Sequence, residues 1–438
     1  MRKFGFFVLA AASVMFFLAG CQQATTPVAM SWTSGTCATC HATGTYAQPM
    51  LNAKATYEAS GHLNGPRPLT TAGTYLASGS NFRSDNNDPS GCTRCHTSEG
   101  FVSWAANPVD IQTVSTANGV TTYTASGNPA VGDPSPIGCF TCHDPHVRSD
   151  FSLRYASAVK LSDAVTKYDM GAGNLCAACH VARTYVGQVN FTPATGATTV
   201  AASGHGFSTH HNPQADFVLG ADAYPYTGAT YTKSAHYTAD SCVTCHMFNP
   251  SAADLVAAVT NGAQYNGDPS LGGHGTYLTS NNGDYVGTCF QCHKNDGSGV
   301  GKNWLTSGTP AQYDGTNGMA FLTGDQHHDA NGTAILVQIQ TEANTLVKYF
   351  QAKGFLTWTN GGTLNADGYY KYHRDFTEKG SATATPAQAK AYWNLVYFFE
   401  DKSYGIHNPT FAADMLFDSI TDLNTNAAAA LAVPAKRP

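Results

Sequence analysis

Charge is scarce in this chain. Only 12% of its 438 residues are Asp, Glu, Lys or Arg, and they sum to a formal net charge of −6. Nothing in it is basic enough for a nucleic-acid partner, which excludes that class of function. Unpaired cysteine is scarcer still: of 13 cysteines, 12 fall into Cys-x-x-Cys pairs and only Cys21 stands alone. What the chain has instead is Gly, Thr, Ser and Asn, the make-up of an exported protein with long irregular connections. Its length would ordinarily imply two to three domains.

Each cysteine pair is followed directly by histidine. The six sites are Cys37-Cys40-His41, Cys92-Cys95-His96, Cys139-Cys142-His143, Cys176-Cys179-His180, Cys242-Cys245-His246 and Cys289-Cys292-His293. Cys-x-x-Cys-His is the attachment signature of c-type haem. The two thiols bond to the haem vinyl groups and the histidine ligates iron from one face. Disulfides do not require a histidine after each pair, and zinc sites would not repeat it at one offset six times. The expected cofactors are six covalently attached haems. Motif starts lie 55, 47, 37, 66 and 47 residues apart, so no strict repeat exists and stacked identical modules are excluded.

Export agrees with covalent haem. Arg2 and Lys3 precede an apolar run from Phe4 to Leu18 that is too short and wrongly flanked for a stable membrane span and reads as a signal segment. Its end, Leu18-Ala19-Gly20-Cys21, resembles a bacterial lipobox, in which the cysteine becomes the lipidated first residue. Gln22 follows, so the acidic residue of an inner-membrane retention signal is absent. The expectation is an exported lipoprotein of the outer membrane, cell surface or exterior, anchored through Cys21. The regions are then a signal peptide at 1–20, a tether at 21–36, a haem-binding region at 37–300, and a helical region at 301–438 that supplies a distal ligand.

A haem iron has two axial positions. Six of the 17 histidines belong to the motifs, leaving eleven, of which six are needed if every iron carries two. Local context selects them. His62 and His236 each end a Tyr-x-x-Ser-x-His sequence, and His211 and His407 each open His-Asn-Pro. His274 lies between Gly273 and Gly275, where small neighbours admit a flat macrocycle. His146 is too close to His143 to reach the far face of that haem, so it serves a neighbouring one. The expected distal set is His62, His146, His211, His236, His274 and His407, with His210 an alternative to His211. His205, His327, His328 and His373 remain over, the pair at 327–328 reading as a solvated polar loop.

Little regular structure is expected: mainly coil with short helices and small β-hairpins wrapped around six haems, and an α-helical C-terminal segment. Each motif fits one helical turn. Ile111–Ser126 reads as a hairpin with an Asn118-Gly119 turn. Ile335, Ile339, Ala343, Leu346, Val347 and Phe350 recur at helical spacing before Gly354. A second helix is expected over Pro386–Glu400 and a third after Asn408-Pro409, all packing against the last haems.

Cys139–His146 (Cys-x-x-Cys-His-Asp-Pro-His), His210–Gln214 (His-His-Asn-Pro-Gln) and the closing Tyr392-Trp393-Asn394 with Gly405-Ile406-His407-Asn408-Pro409 carry a resemblance. They look like exported multihaem cytochromes of metal-respiring bacteria, a group distantly similar to ammonia-forming nitrite reductases. The resemblance covers most of the mature chain, though only the haem motifs are highly specific. It implies a continuous row of haems and, in some members, polymerisation into extracellular conductive filaments. The reductases carry Cys-x-x-Cys-Lys at the catalytic haem, and this chain has no such motif. Arg148, Arg183 and Tyr185 are available for an open distal site, but such arginines more often meet propionates or the surface. The expectation is therefore an electron conduit rather than an enzyme. Its partners would be other c-type cytochromes, metal oxides or electrodes, and further copies of itself, with His62 or a leftover histidine shared across the interface. The alternative is a reductase of nitrite, hydroxylamine or a sulfur oxyanion at one five-coordinate haem.

Overall fold

Apolar side chains at helical spacing need a surface to bury against, and in this chain they supply it to one another. The computed structural model describes residues 47–64, 93–117, 120–125, 137–144, 152–201, 207–209, 212–248, 272–280, 283–284, 288, 335–364, 370, 375–378 and 383–433. The chain divides into two compact units, Met1–Lys54 and Ala55–Pro438. Apart from residues 47–54, the architecture below is that of the second.

The described helices are α1 (Ala47–Glu58), α2 (Gly61–Asn64), α3 (Thr93–His96), α4 (Ser98–Ala106), α5 (Cys139–Cys142), α6 (Gly173–Ala177), α7 (Gln214–Leu219) and α8 (Ser241–His246). Three longer ones close the chain: α9 (Ile335–Ala352), α10 (Pro386–Asp401) and α11 (Pro409–Asn426). The strands pair in antiparallel twos. β1 (Gln112–Ala117) pairs with β2 (Val120–Ala125), and β3 (Val159–Lys160) with β4 (Lys167–Tyr168). Further along, β6 (Thr279–Ser280) pairs with β7 (Gly283–Asp284), and β8 (Leu356–Trp358) with β9 (Phe376–Glu378); β5 (Val200–Ala201) finds its partner at the far end of the chain. The last, β10 (Thr383–Ala384), returns to pair with β5 and stitches the C-terminal region to the region of the Cys-x-x-Cys-His motifs. The β1–β2 register pairs Ala117 with Val120, and the expected Asn118-Gly119 turn lies outside the described residues.

The six periodic residues from Ile335 to Phe350 all lie on α9 and are almost fully buried, and Gly354 follows at φ +76°. On α10 a Thr385–Gln388 capping box holds the N-terminus, each residue bonding the other's backbone N–H, with Pro386 at the first turn. Both α9 and α10 pack against α11, and the three helices bury one another. Trp393 Nε1 donates to Asp222 O at 2.9 Å, Tyr397 Oη to Ala221 O at 2.7 Å, and Tyr224 N donates to Asn394 Oδ1 at 2.7 Å. These bonds dock α10 onto the segment before the fifth motif.

A second apolar cluster lies among the motifs themselves. Phe101, Trp104, Tyr155, Leu161, Tyr168, Ala177 and Val181 form it, next to partly buried Cys179 and Cys242. Among the described residues no helix is long and apolar enough to cross a membrane.

Candidate haem-ligand centre

Cysteines at i and i+3 and histidine at i+4 share one face of a single helical turn, which is why the pentapeptide works as a unit. That turn is closed by His143 N to Cys139 O at 2.9 Å and by His180 N to Cys176 O at 2.8 Å. Cys245 and His246 lie on α8, and Cys95 and His96 on α3. Arg154 braces the third motif: Nε donates to Phe140 O at 2.8 Å, and a terminal nitrogen to His143 O at 2.9 Å. None of the seven described motif cysteines is joined in a disulfide.

Three motif histidines face a second histidine from elsewhere in the chain. Ring centroids are 6.2 Å apart for His180 and His62, 6.2 Å for His143 and His274, and 6.1 Å for His246 and His407. Two metal–imidazole bonds of about 2.0–2.1 Å, with ~1.1 Å from each ligating nitrogen to its ring centre, span about 6.2 Å. The spacing of each pair is compatible with one iron between the two rings. The rings meet at 85°, 41° and 53°, and any such angle is compatible because an axial ligand can turn about its metal bond.

The ring nitrogens that face away are occupied. His246 Nδ1 lies 2.8 Å from Thr276 O, His180 Nδ1 3.0 Å from Gln214 Oε1, and His407 Nδ1 2.7 Å from Asp401 Oδ1. A carbonyl or carboxylate can only accept, so Nδ1 carries the proton and Nε2 keeps its lone pair for a metal. Burial pushes His180 down to about 4, with His62 beside it adding to the effect. Burial and neighbouring His407 likewise take His246 to about 4, and burial lowers His274. These imidazoles are neutral at pH 7, as ligands must be. At His407 burial also opposes charge, but the Asp401 carboxylate outweighs it and the net shift is upward.

His236 has the same preparation. Its Nδ1 lies 2.9 Å from Ile406 O, the carbonyl preceding His407, and its backbone N–H is held by Ser234 Oγ at 3.0 Å. It belongs to none of the three ring pairs.

His407 is aimed by the residues around it. Asn408 caps α11 by accepting from Phe411 N at 3.3 Å, while its Nδ2 reaches Thr232 O at 2.8 Å and the Phe217 and Val218 carbonyls at 3.3 Å. Pro409 fills the first turn. The other His-Asn-Pro ends likewise at a helix start, Pro213 being the N-cap of α7.

The motifs also converge. Cys179 Sγ lies 3.7 Å from Arg94 O and α6 packs against α8, so the fourth motif touches both the second and the fifth. Tyr168 Oη bridges Cys242 Sγ at 3.1 Å and Ser241 Oγ at 2.6 Å.

Of the sequence-selected residues, Cys21, Cys37, Cys40, His41, Cys92, His146, His211, Cys289, Cys292 and His293 lie outside the described residues, as do His205, His210, His327, His328, His373 and Arg148. His62, named above as a residue for sharing between copies, faces His180 of its own chain. Sequence reasoning missed Asp401, Gln214, Thr276 and Ile406, which orient the imidazoles. Two of them act through backbone carbonyls and leave no side-chain signal. Gln214 lies within a segment already quoted for its resemblance and was the most accessible of the four to sequence reasoning.

Among the described residues no cluster of three or more His, Cys, Asp or Glu side chains is arranged to hold a bare metal ion. A haem iron takes four nitrogens from its porphyrin and asks the chain for two, so the histidine pairs suit haem and such clusters are no part of the requirement. No protein-family model, no curated protein and no solved structure matches the chain.

Proposed function

We propose that this chain is a hexahaem c-type cytochrome that conducts electrons, exported and lipid-anchored through Cys21, between other cytochromes and terminal acceptors such as metal oxides. Haem supplies a one-electron iron couple, and a row of haems passes electrons by hopping. The observation that carries the reading is the set of three motif–distal pairs, His180–His62, His143–His274 and His246–His407, at 6.1–6.2 Å. Such pairs would hold a haem iron from both sides, and a ligand set that stays in place on reduction favours fast relay. The contacts of the fourth motif with the second and fifth support short steps between stations. Assembly of copies into a filament is the further part of this reading.

EPR and magnetic circular dichroism of the oxidised protein test it. Six low-spin ferric haems are expected, without turnover of nitrite, hydroxylamine or sulfite. A substantial high-spin signal with rapid nitrite or cyanide binding would replace conduction with the reductase reading. Negative-stain microscopy of the native cell surface tests the filament.

A further inference from the structure

Arg94 occupies an x position of the second motif and is 4% exposed. Its guanidinium carbon sits 3.9 Å above the centre of the Trp104 ring, and its Nε is buried without a hydrogen-bond partner. The described ion pairs are Arg154–Asp144, Lys160–Asp110 and His407–Asp401, so among the described residues no carboxylate pairs with Arg94. Trp104 is a fixed platform: Nε1 donates to Val109 O at 2.8 Å, and Tyr155 and Phe101 pack on it at 4.7 and 5.4 Å.

A guanidinium keeps its charge at any working pH. Taking it out of water without an anion is costly, and a cation–π contact offsets only part of that cost. Simple packing is therefore a poor reason to bury arginine here. Its position supplies a better one. Arg94 immediately precedes Cys95, and Cys179 Sγ lies 3.7 Å from Arg94 O. The cation thus stands where the second and fourth attachment sites meet.

An iron loses one positive charge on reduction, so a fixed nearby cation in a medium of low dielectric favours the reduced state. We propose that Arg94 is a potential-setting residue: its buried charge raises the reduction potentials of the haems attached at Cys92/Cys95 and at Cys176/Cys179, making them the stations where an electron rests in the relay. The inference rests on the haem-relay reading above.

The test is a potentiometric titration of the holoprotein and of its Arg94→Met, Arg94→Gln and Arg94→Lys variants, with haem stoichiometry measured by pyridine haemochrome and mass spectrometry. Arg94→Met, which keeps apolar volume on Trp104, is expected to lower two of the six midpoints. Arg94→Lys is expected to hold them near the parent values. Arg94→Gln reports the loss of charge should the Met variant fail to mature. Six haems with unchanged midpoints in both neutral variants overturn the proposal, as does an equal drop in Arg94→Lys, which would make shape rather than charge the cause. A parent protein carrying no covalent haem overturns the relay reading instead.

Discussion

Single residues in this chain are spent on holding imidazoles in one tautomer and one direction. Asp401 does so most directly, its carboxylate 2.7 Å from His407 Nδ1. A charged acceptor makes the imidazole a stronger donor to ferric iron. Asp401→Asn is therefore expected to raise the midpoint of the haem at the fifth motif in a redox titration, and an unshifted set of midpoints would remove Asp401 from this role. Thioether ligation raises potential as well, so His236→Met should lift one midpoint if His236 ligates iron; an unchanged titration strikes it from the ligand set.

Asp216 offers a pH prediction at the same scale. It is fully buried on α7, its Oδ2 accepts from Ala182 N at 2.7 Å, and its Oδ1 has no partner. Burial raises its carboxyl to about 7, and Asp222 is raised by burial and by Asp216 beside it. An unfolded Asp titrates at about 3.9, so from about pH 4 to about pH 7 the folded chain holds a proton that the unfolded chain has released. Stability from this group falls as pH rises through that window and stays low above it. Asp216→Asn keeps an acceptor for Ala182 and should show a shallower fall of melting temperature with pH; parallel curves for the two proteins would refute the assignment.

At the scale of elements, helix ends decide where ligands stand. The α10–α11 turn presents His407, and Gly405 within it has φ +95°, with a Cβ there only 2.9 Å from Ile339 Cδ1. Any side chain would be strained in conformation and crowded against α9. Asn408 then caps α11 and ties it to three carbonyls. Asn408→Ala should cost about 1–2 kcal/mol in stability and release His407, seen as a new high-spin ferric signal. Thr385→Ala, at the opposite end of α10, should cost about 1 kcal/mol with an unchanged spectrum. If both variants gave the same spectrum, the turn would have no special hold on the ligand.

Much of this level was legible in the sequence. The α9 periodicity, the Pro386 start and the Asn-Pro start of α11 are local signals, because propensity and capping act within one or two turns. The partner of each helix was not legible: an apolar stripe states that it must be covered, without stating whether haem or a neighbouring helix does so.

For the whole molecule, the relay reading demands six covalent haems per chain by pyridine haemochrome and membrane association through Cys21. Cys21→Ser is expected to move the cytochrome from the membrane fraction to the soluble one while leaving its haem spectrum intact. A variant that stays with the membrane would show that another part of the molecule anchors it.

On the proposed reading the attachment chemistry is written in the sequence by itself, because two thiols and a histidine on one helical turn need nothing beyond five consecutive residues. Shared local contexts also narrowed the candidate distal ligands to a short set. Which histidine faces which motif was decided only by the tertiary structure. His62 and His180, His143 and His274, and His246 and His407 are each more than a hundred residues apart in the chain. Their meeting goes with α10 and α11 docking onto segment 217–224 and with α6 packing against α8. Long-range packing energies of that kind leave no spacing rule for a sequence to display.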